Sequence, residues 1–345
     1  MEEGVRLIVA GDLHFRMENP RSRKDNYFVS LLEKLEEACI LAQEHSAYAV
    51  IIPGDIFDSA NVGLSTIIEL AFDLKRLREA YSVPILAISG NHDLPAGNKA
   101  ALGRTPYGLL SKLGHLRDIE KNPCMFSSSV NISGCGFDFK TDTEEGAYQF
   151  NAPDYGFQTA KRVVLNEGSL RIHVVHSMLM ATSPTFPMRH TLINQVETNA
   201  DIIISGHYHE GFGIIRRKDG KLFINPGALC RLSASKAEME RTVQVALLTI
   251  RSKTDFDAKL IPLLSARPAE EVLDREAIVE KVEHENWLDS FFESLDKEGE
   301  VKFLGVREIV DSIASREKIL PVVKEEALKR IGEAREKLGL GRVGA

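Results

Sequence analysis

The apolar run Pro84-Ile85-Leu86-Ala87-Ile88 ends in Gly90-Asn91-His92-Asp93. A short apolar run bounded by turn residues reads as a buried strand. Here the strand ends in three consecutive side chains that can each bind a metal or move a proton. Packing alone rarely puts Asn-His-Asp at such a place. A Gly-Asn turn is common by itself, so the weight lies in repetition. Four other strand ends carry the same kind of residue: Asp12 and His14, Asp55, His176, and His207 with His209. In a twisted sheet the carboxyl ends of neighbouring parallel strands lie together and ligands collect there. A fold that brings these ends to one edge is therefore the first requirement on the chain.

The run from Val5 to Ala10 breaks at Gly11-Asp12-Leu13-His14, and a polar loop with Arg16, Arg21, Arg23 and Lys24 follows. Phe28, Leu31, Leu32, Leu35, Ala38, Cys39 and Ala42 recur at helical spacing. Residues 48–52 read as a second strand, ending at Gly54-Asp55-Ile56-Phe57-Asp58. Leu64, Ile67, Ile68, Ala71 and Leu74 mark a second helix before the third strand. This alternation predicts a parallel sheet with right-handed crossovers.

Beyond it, residues 123–139 alternate short strands with Ser, Gly and Asn turns, and residues 155–165 read as a helix. Residues 170–175 form a strand ending at His176, and residues 201–205 one ending at Gly206-His207-Tyr208-His209. Residues 212–216 and 222–225 flank the hairpin turn Lys218-Asp219-Gly220. Residues 242–250 and 258–263 make a further hairpin, so the second half of the core reads as antiparallel. The fold class expected is α/β: two sheets packed face to face, a double β-sandwich, with helices outside. Arg267-Pro268 reads as a boundary, giving a domain over 1–266 and a small, mostly helical region over 267–345. Three apolar stripes fall in that region: Trp287 to Leu295, Leu304 to Ile313, and Val323 to Leu338.

At 345 residues the length fits about two domains. No apolar run approaches the roughly 20 residues of a membrane span. The acidic start, Met1-Glu2-Glu3-Gly4, does not read as a signal peptide. Cys39, Cys124, Cys135 and Cys230 form no CxxC pair and read as reduced, buried thiols, which suggests a cytoplasmic protein. The net charge of −7 gives no bulk attraction for nucleic acid, so any such site needs a local basic patch or a metal centre.

The donors Asp12, His14, Asp55, Asn91, His176, His207 and His209 combine carboxylate, amide and imidazole. That mixture suits Mn²⁺, Fe or Zn²⁺ better than Ca²⁺, and the lack of thiolate argues against a structural zinc knot. There are enough donors for two metals, with a carboxylate such as Asp55 as a bridge. Two ions clamp a phosphate for in-line attack. The leaving oxygen then needs a proton or a positive neighbour, and His92, oriented by Asp93, is assigned that work. Taken singly, each residue has a plainer explanation. Asp12 and Asp55 serve as turn residues elsewhere, Asp58 reads equally as an N-cap, and His173 reads as a packed core histidine.

The blocks Asp12-Leu13-His14, Gly54-Asp55-Ile56-Phe57-Asp58, Gly90-Asn91-His92-Asp93, His176 and Gly206-His207-Tyr208-His209 resemble, in order, the pattern of the calcineurin-like metallophosphoesterases. That resemblance implies one metal on Asp12, His14, Asp55 and His209, and another on Asp55, Asn91, His176 and His207. Asn225-Pro226-Gly227-Ala228-Leu229 and the Arg267-Pro268 junction look most like those of SbcD-type DNA repair exonucleases. Proteins of that type are Mn²⁺-dependent DNA exo- and endonucleases that act with SbcC, an SMC-like ATPase. The partners so implied are DNA, an SbcC-like ATPase docked on the Val323–Leu338 stripe, and a second copy in a homodimer, with no membrane. Arg16, Lys99, Arg104 and Arg189 are the substrate contacts expected, with Arg21, Arg23 and Lys24 as further basic residues. A phosphodiesterase or phosphatase acting on a small phosphoester or cyclic nucleotide is the alternative in the same chemistry. A fold without activity is the alternative outside it.

Overall fold

Strand-forming runs alternate with two long amphipathic helices in the first quarter of the chain, and that order sets the first sheet. The computed structural model describes residues 4–127, 129–158, 161–164, 168–184 and 187–274, and in the C-terminal region 310, 314, 319–327 and 330. In chain order the strands are β1 (Val5–Val9), β2 (Val50–Ile52), β3 (Ile85–Ala87), β4 (Arg117–Asp118), β5 (Cys124–Ser127) and β6 (Val130–Cys135). There follow β7 (Tyr155–Gln158), β8 (Lys161–Val164), β9 (Leu170–Ser177), β10 (Leu179–Met180) and β11 (Thr191–Leu192). The last are β12 (Ile202–His207), β13 (Gly213–Arg216), β14 (Leu222–Asn225), β15 (Gln244–Ile250) and β16 (Phe256–Pro262).

One sheet has the order β16-β15-β1-β2-β3-β4 and the other β13-β14-β12-β9-β6-β5-β7-β8. In the first, β1 to β4 are parallel, as the alternation predicts, and the β15–β16 hairpin adds antiparallel to β1. The inner faces meet through Leu7, Val9, Ile51, Leu86 and Leu248 from one sheet and Ile132, Ile172, Val174, Ile202 and Ile224 from the other. Burial of these side chains from water drives the pairing of the sheets.

The outer face of the six-stranded sheet is covered by α1 (Tyr27–Glu44), α2 (Leu64–Tyr81) and α3 (Pro106–Lys112). Helix α1 starts at Asn26, whose side chain accepts from Val29 N–H at 3.1 Å, a standard cap. It buries the expected line of Phe28, Leu31, Leu35, Ala38, Cys39 and Ala42. Helix α2 is rotated from its expected face. It buries Thr66, Leu70, Leu74 and Leu77, while Leu64 is 69% exposed. The helix continues to Tyr81, and the longer Leu70-Leu74-Leu77 line outweighs the early apolar residues.

Two sequence expectations are corrected here. Residues 155–165 contain the β7–β8 hairpin rather than a helix, with Tyr155 opposite Val164 and Phe157 paired with Cys124 of β5. Gly156 weakens a helix, Val163 and Val164 favour a strand, and β5 offers an edge to pair with. Second, the latter half is not antiparallel throughout. Strands β6, β9, β12 and β14 run parallel, and hairpins form only towards the edges. The parallel centre brings the carboxyl ends of β9 and β12 side by side, with His176 paired to Gly206 and Ser177 to His207.

Residues Met1–Val279 form one compact unit and Glu280–Ala345 a second. The short helix α4 (Lys236–Glu240) precedes β15, and α5 (Ala269–Val272) follows β16. Ala269, Val272 and Leu273 pack with Ala234. Residues 321–327 are helical. The stripe at residues 287–295 lies outside the described residues, as do all but Val310 of the second stripe and all but Val323 and Ala327 of the third. No helix among the described residues is long and apolar enough to cross a membrane.

Candidate metal centre

The loops after β1, β2 and β3 meet the ends of β9 and β12 at one edge of the sandwich. Asp12, His14, Asp55 and His176 are buried there; His207, His209 and Asn91 are half-buried, and His92 is exposed. Three of these residues sit at positive φ without being glycine: His14 at 56°, Asp55 at 49° and His207 at 74°. Such conformations persist where surrounding contacts hold them, and they gather at functional sites. Gly90 permits a close approach of two loops. A Cβ there would stand 2.1 Å from Asp55 Oδ1 and 2.4 Å from its backbone nitrogen.

The donor atoms converge. His14 Nε2 lies 3.0 Å from His209 Nε2, and His176 Nε2 lies 3.0 Å from Asn91 Oδ1. Asp55 Oδ2 stands between these pairs, 3.5 Å from His14 Nε2 and 3.3 Å from His176 Nε2. Its other oxygen accepts from His92 N–H at 2.8 Å, whereas Oδ2 is buried with no hydrogen-bond donor. Donors that each sit about 2.1 Å from one ion lie roughly 3 to 3.5 Å apart, which is the spacing here. The residues therefore fit divalent metal ions, with Asp55 Oδ2 facing both sets of imidazoles.

Neighbours fix the rings. His176 Nδ1–H donates to Pro53 O at 2.8 Å, which leaves Nε2 as a lone-pair donor. His14 Nδ1 faces Asp58 Oδ1 at 3.5 Å, and Arg16 Nη1 holds Asp58 Oδ2 at 2.7 Å. Tyr27 Oη donates to His14 O at 3.0 Å. His207 N–H donates to both oxygens of Asp12, at 3.1 and 3.2 Å. The Asn225-Pro226-Gly227 turn supports the other end of this segment: Asn225 Nδ2 donates to Tyr208 O at 3.0 Å and Ala228 N–H to His209 O at 2.9 Å.

The electrostatics suit a cation. Burial pushes Asp12 up, against the pull of His176 and His14. Burial works on Asp55 the same way, but His176, His14 and His92 outweigh it and hold the carboxyl far below its usual range. Burial opposes a charge on His176, yet Asp55 and Asp12 raise it to about 9. Burial, with His176 beside one and His14 beside the other, lowers His207 and His209 to about 3, so both are neutral donors. Beside these two buried carboxylates the metal-free His176 ring is held towards its charged form, and a divalent ion would take the place of the Nε2 proton.

Several expectations change. Asp93 does not orient His92. It is buried, and its carboxylate accepts from Gly90 N–H at 2.9 Å, Phe57 N–H at 3.1 Å and Ile56 N–H at 3.3 Å, tying two loops together. The His92 ring is held by Asp58 instead, Nδ1–H donating to its carbonyl at 2.7 Å. Asp58 is not a helix cap, since α2 begins after Gly63. His173 is a core residue as expected, bonded to Ser133 Oγ and Gln149 O, each at 2.8 Å. Lys99 is engaged by Glu120 at 2.8 Å, and Arg23 is buried against Asp25 at 2.7 Å, so neither is free for phosphate. Arg104, Arg189, Arg21 and Lys24 are exposed and Arg16 is half-buried on Asp58.

Two neighbours carry no motif and escape a sequence reading. Phe137 follows β6, with its ring centroid 5.9 Å from that of His207 and 6.3 Å from that of His176. Its only signal is its position after a strand end. Cys230, buried and free, lies with His14 and His209 so that their ligand atoms are all within 4.8 Å. The centre is therefore not remote from a thiol.

A sequence model of the family described as Calcineurin-like phosphoesterase matches residues 5–211. The DNA double-strand break repair protein Mre11 of Methanosarcina mazei is 26% identical over 243 residues, covering 69% of this chain and 35% of that protein. The protein of the same name from Methanosarcina acetivorans is 22% identical over 216 residues, covering 61% of this chain and 31% of that one. The chain thus spans about a third of the length of these curated relatives. Among solved structures, a dimetal phosphatase from Danio rerio aligns with a TM-score of 0.44 and 12% identity, over 74% of this chain and 99% of that one.

Proposed function

The chain belongs to the calcineurin-like phosphoesterase family, and from that premise we propose that it is a two-metal DNA exo- and endonuclease acting in repair or recombination. The observation that carries the two-metal reading is Asp55 Oδ2, buried, without a hydrogen-bond donor and 3.5 and 3.3 Å from imidazole nitrogens on either side. The choice of DNA rests on the similarity to proteins named for double-strand break repair. Asp12, His14, Asp55 and His209 would hold one ion, and Asp55, Asn91, His176 and His207 the other. Mn²⁺ suits this mixed oxygen and imidazole set, as do Fe and Zn²⁺.

Bound divalent ions supply Lewis acidity to the phosphoryl oxygens and lower the pKa of the attacking water. The protein's own groups do the rest. Asp58 and Pro53 fix which nitrogen His14 and His176 present. Asp93 clamps the loop of Asp55 to the loop of Asn91. His92 stands at the exposed rim with Nδ1 on Asp58 O, so Nε2 is the nitrogen left to protonate or polarise the leaving oxygen. With a net charge of −7, attraction of the phosphate falls to the centre and to local cations rather than to bulk charge. Residues 267–345 are proposed as a cap or as the docking region for an SbcC-like ATPase; of these, Ala269, Val272 and Leu273 pack with Ala234.

Cleavage of labelled duplex and single-stranded DNA, run beside hydrolysis of small diesters and cyclic nucleotides with Mn²⁺, tests this. The expected result is Mn²⁺-dependent DNA degradation. Intact DNA beside rapid small-diester turnover would replace the nuclease with a small-molecule phosphodiesterase.

A further inference from the structure

The segment after β6 carries a second aromatic, Phe139, that is 65% exposed although Phe137 packs on His176 and His207. An exposed phenyl ring so close to the candidate ligands is costly to leave in water. Its edge rests on Gly97, where a Cβ would stand 3.0 Å from Phe139 Cε1. Gly97 ends the turn Pro95–Gly97, just beyond Asn91-His92-Asp93. The ring therefore touches a second segment leading out of the centre and keeps most of its surface open.

A cation reaches the backbone of the same residue. Arg189 is exposed, and its Nη1 donates to Phe139 O at 3.4 Å. Asp142 buckles the two segments together. Its carboxylate accepts from Ser177 Oγ at 2.6 Å, Met178 N–H at 2.8 Å and Thr191 Oγ1 at 2.8 Å. Ser177 follows His176, and Thr191 lies two residues after Arg189. Asp142 has φ of 59°, a conformation that needs such contacts to hold it. The nearby Lys140 and Asp138 are engaged elsewhere, by Glu145 at 3.1 Å and Tyr148 Oη at 2.7 Å.

An open aromatic ring and a guanidinium held on the same residue's backbone carbonyl, on segments that leave the candidate centre, have the chemistry to take one unpaired nucleotide. Every base has a π-face that stacks on an aromatic side chain, and arginine pairs with phosphate. A base inside a duplex must first leave its stack to offer that face. Building on the nuclease reading, we propose that Phe139 and Arg189 seat an unpaired nucleotide at the mouth of the centre, the base on the Phe139 ring and its phosphate towards Arg189.

The test uses the Mn²⁺-loaded protein on a single-stranded oligonucleotide carrying 2-aminopurine, with an abasic oligonucleotide of the same length as a substrate that has no base and bis(p-nitrophenyl) phosphate as a small diester. Phe139→Ala should raise KM for the oligonucleotide about ten-fold, the size expected for one lost stack. Turnover of the abasic oligonucleotide should be unchanged, and Phe139→Trp should restore the KM of the base-bearing one. Arg189→Ala should weaken oligonucleotide binding and flatten its salt dependence. Quenching of 2-aminopurine fluorescence, measured with Ca²⁺ in place of Mn²⁺, reads binding without cleavage. If Phe139→Ala binds and cuts the oligonucleotide as the parent does, the seat is wrong while the nuclease stands. If the parent hydrolyses the small diester but leaves DNA intact, the nuclease reading fails, and quenching that depends on Phe139 would still support the seat.

Discussion

The two halves of the candidate centre are held by different means. Asp12, His14 and Asp55 lie on loops after parallel strands of the six-stranded sheet. Polar contacts orient them: Asp58 faces His14, Tyr27 holds its carbonyl, and Asp93 gathers the N–H groups of Ile56, Phe57 and Gly90. His176 and His207 stand at strand ends of the eight-stranded sheet, set mainly by register and by the Phe137 ring, with one directional contact on the His176 ring, from Nδ1–H to Pro53 O. The first half is thus built from directional contacts, each of which removes a specific degree of freedom. The second is built from backbone pairing, which many residues share. Loss of one contact should be felt more in the first half than in the second.

The sharpest break in that comparison is at the one atom both halves share. Asp55→Asn should weaken both ions, each by at least the ~100-fold that marks the upper range for a neighbour of a ligand. Metal analysis after dialysis would read it, and retention of one ion at full affinity would mean that Asp55 belongs to one half only. His176→Ala should then separate the halves. One ion should be lost while the other holds within a few-fold, as titration calorimetry would register. Loss of both ions would show the halves to be a single cooperative unit.

A smaller pair of substitutions tests the means of support directly. Asp58→Asn removes the charge facing His14 Nδ1 and should weaken the first ion about ten-fold. Phe137→Ala removes packing against His176 and His207 but leaves their strand register intact. The expected loss is about five-fold and confined to the second ion, because a ring contact of this kind is worth on the order of 1 kcal/mol. Equal losses at both ions from either substitution would erase the distinction between the halves.

The same difference explains what the sequence made legible. Candidate ligands on loops after strands leave a local mark, a polar residue directly after an apolar run, so Asp12, His14, Asp55, Asn91, His176, His207 and His209 can be read together. The β1-α1-β2-α2-β3 order was legible for the same reason. What supports the ligands leaves no such mark. Phe137 and Asp142 act through space across segments distant in sequence. Asp58 reads equally as a cap because capping and ring orientation use the same short carboxylate. Asp93 was assigned to its sequence neighbour His92, whereas the fold turns it towards backbone N–H groups of another loop. The β7–β8 hairpin was missed because its pairing partner, β5, lies some thirty residues earlier in the chain.

The smallest effect on the centre belongs to His173, three residues before His176 on the same strand. Its ring is buried, with Ser133 on one nitrogen and Gln149 O on the other. Burial lowers it to about 4, from an ordinary histidine value of 6.5. The unfolded chain therefore takes up a proton at this residue as the pH falls below 6.5, while the folded chain does not until about 4. Stability from this group is full above pH 6.5 and is lost as the pH falls towards 4, by on the order of 3 kcal/mol. His173→Gln has no such titration, so its urea midpoint, measured without metal, should fall less than that of the parent between pH 7 and pH 4. Its content of both ions at pH 7 should be unchanged. A variant with the parent's pH slope would mean that His173 is charged in the fold. Loss of an ion would mean that the strand transmits a disturbance at position 173 to its end, and that register alone does not hold the second half.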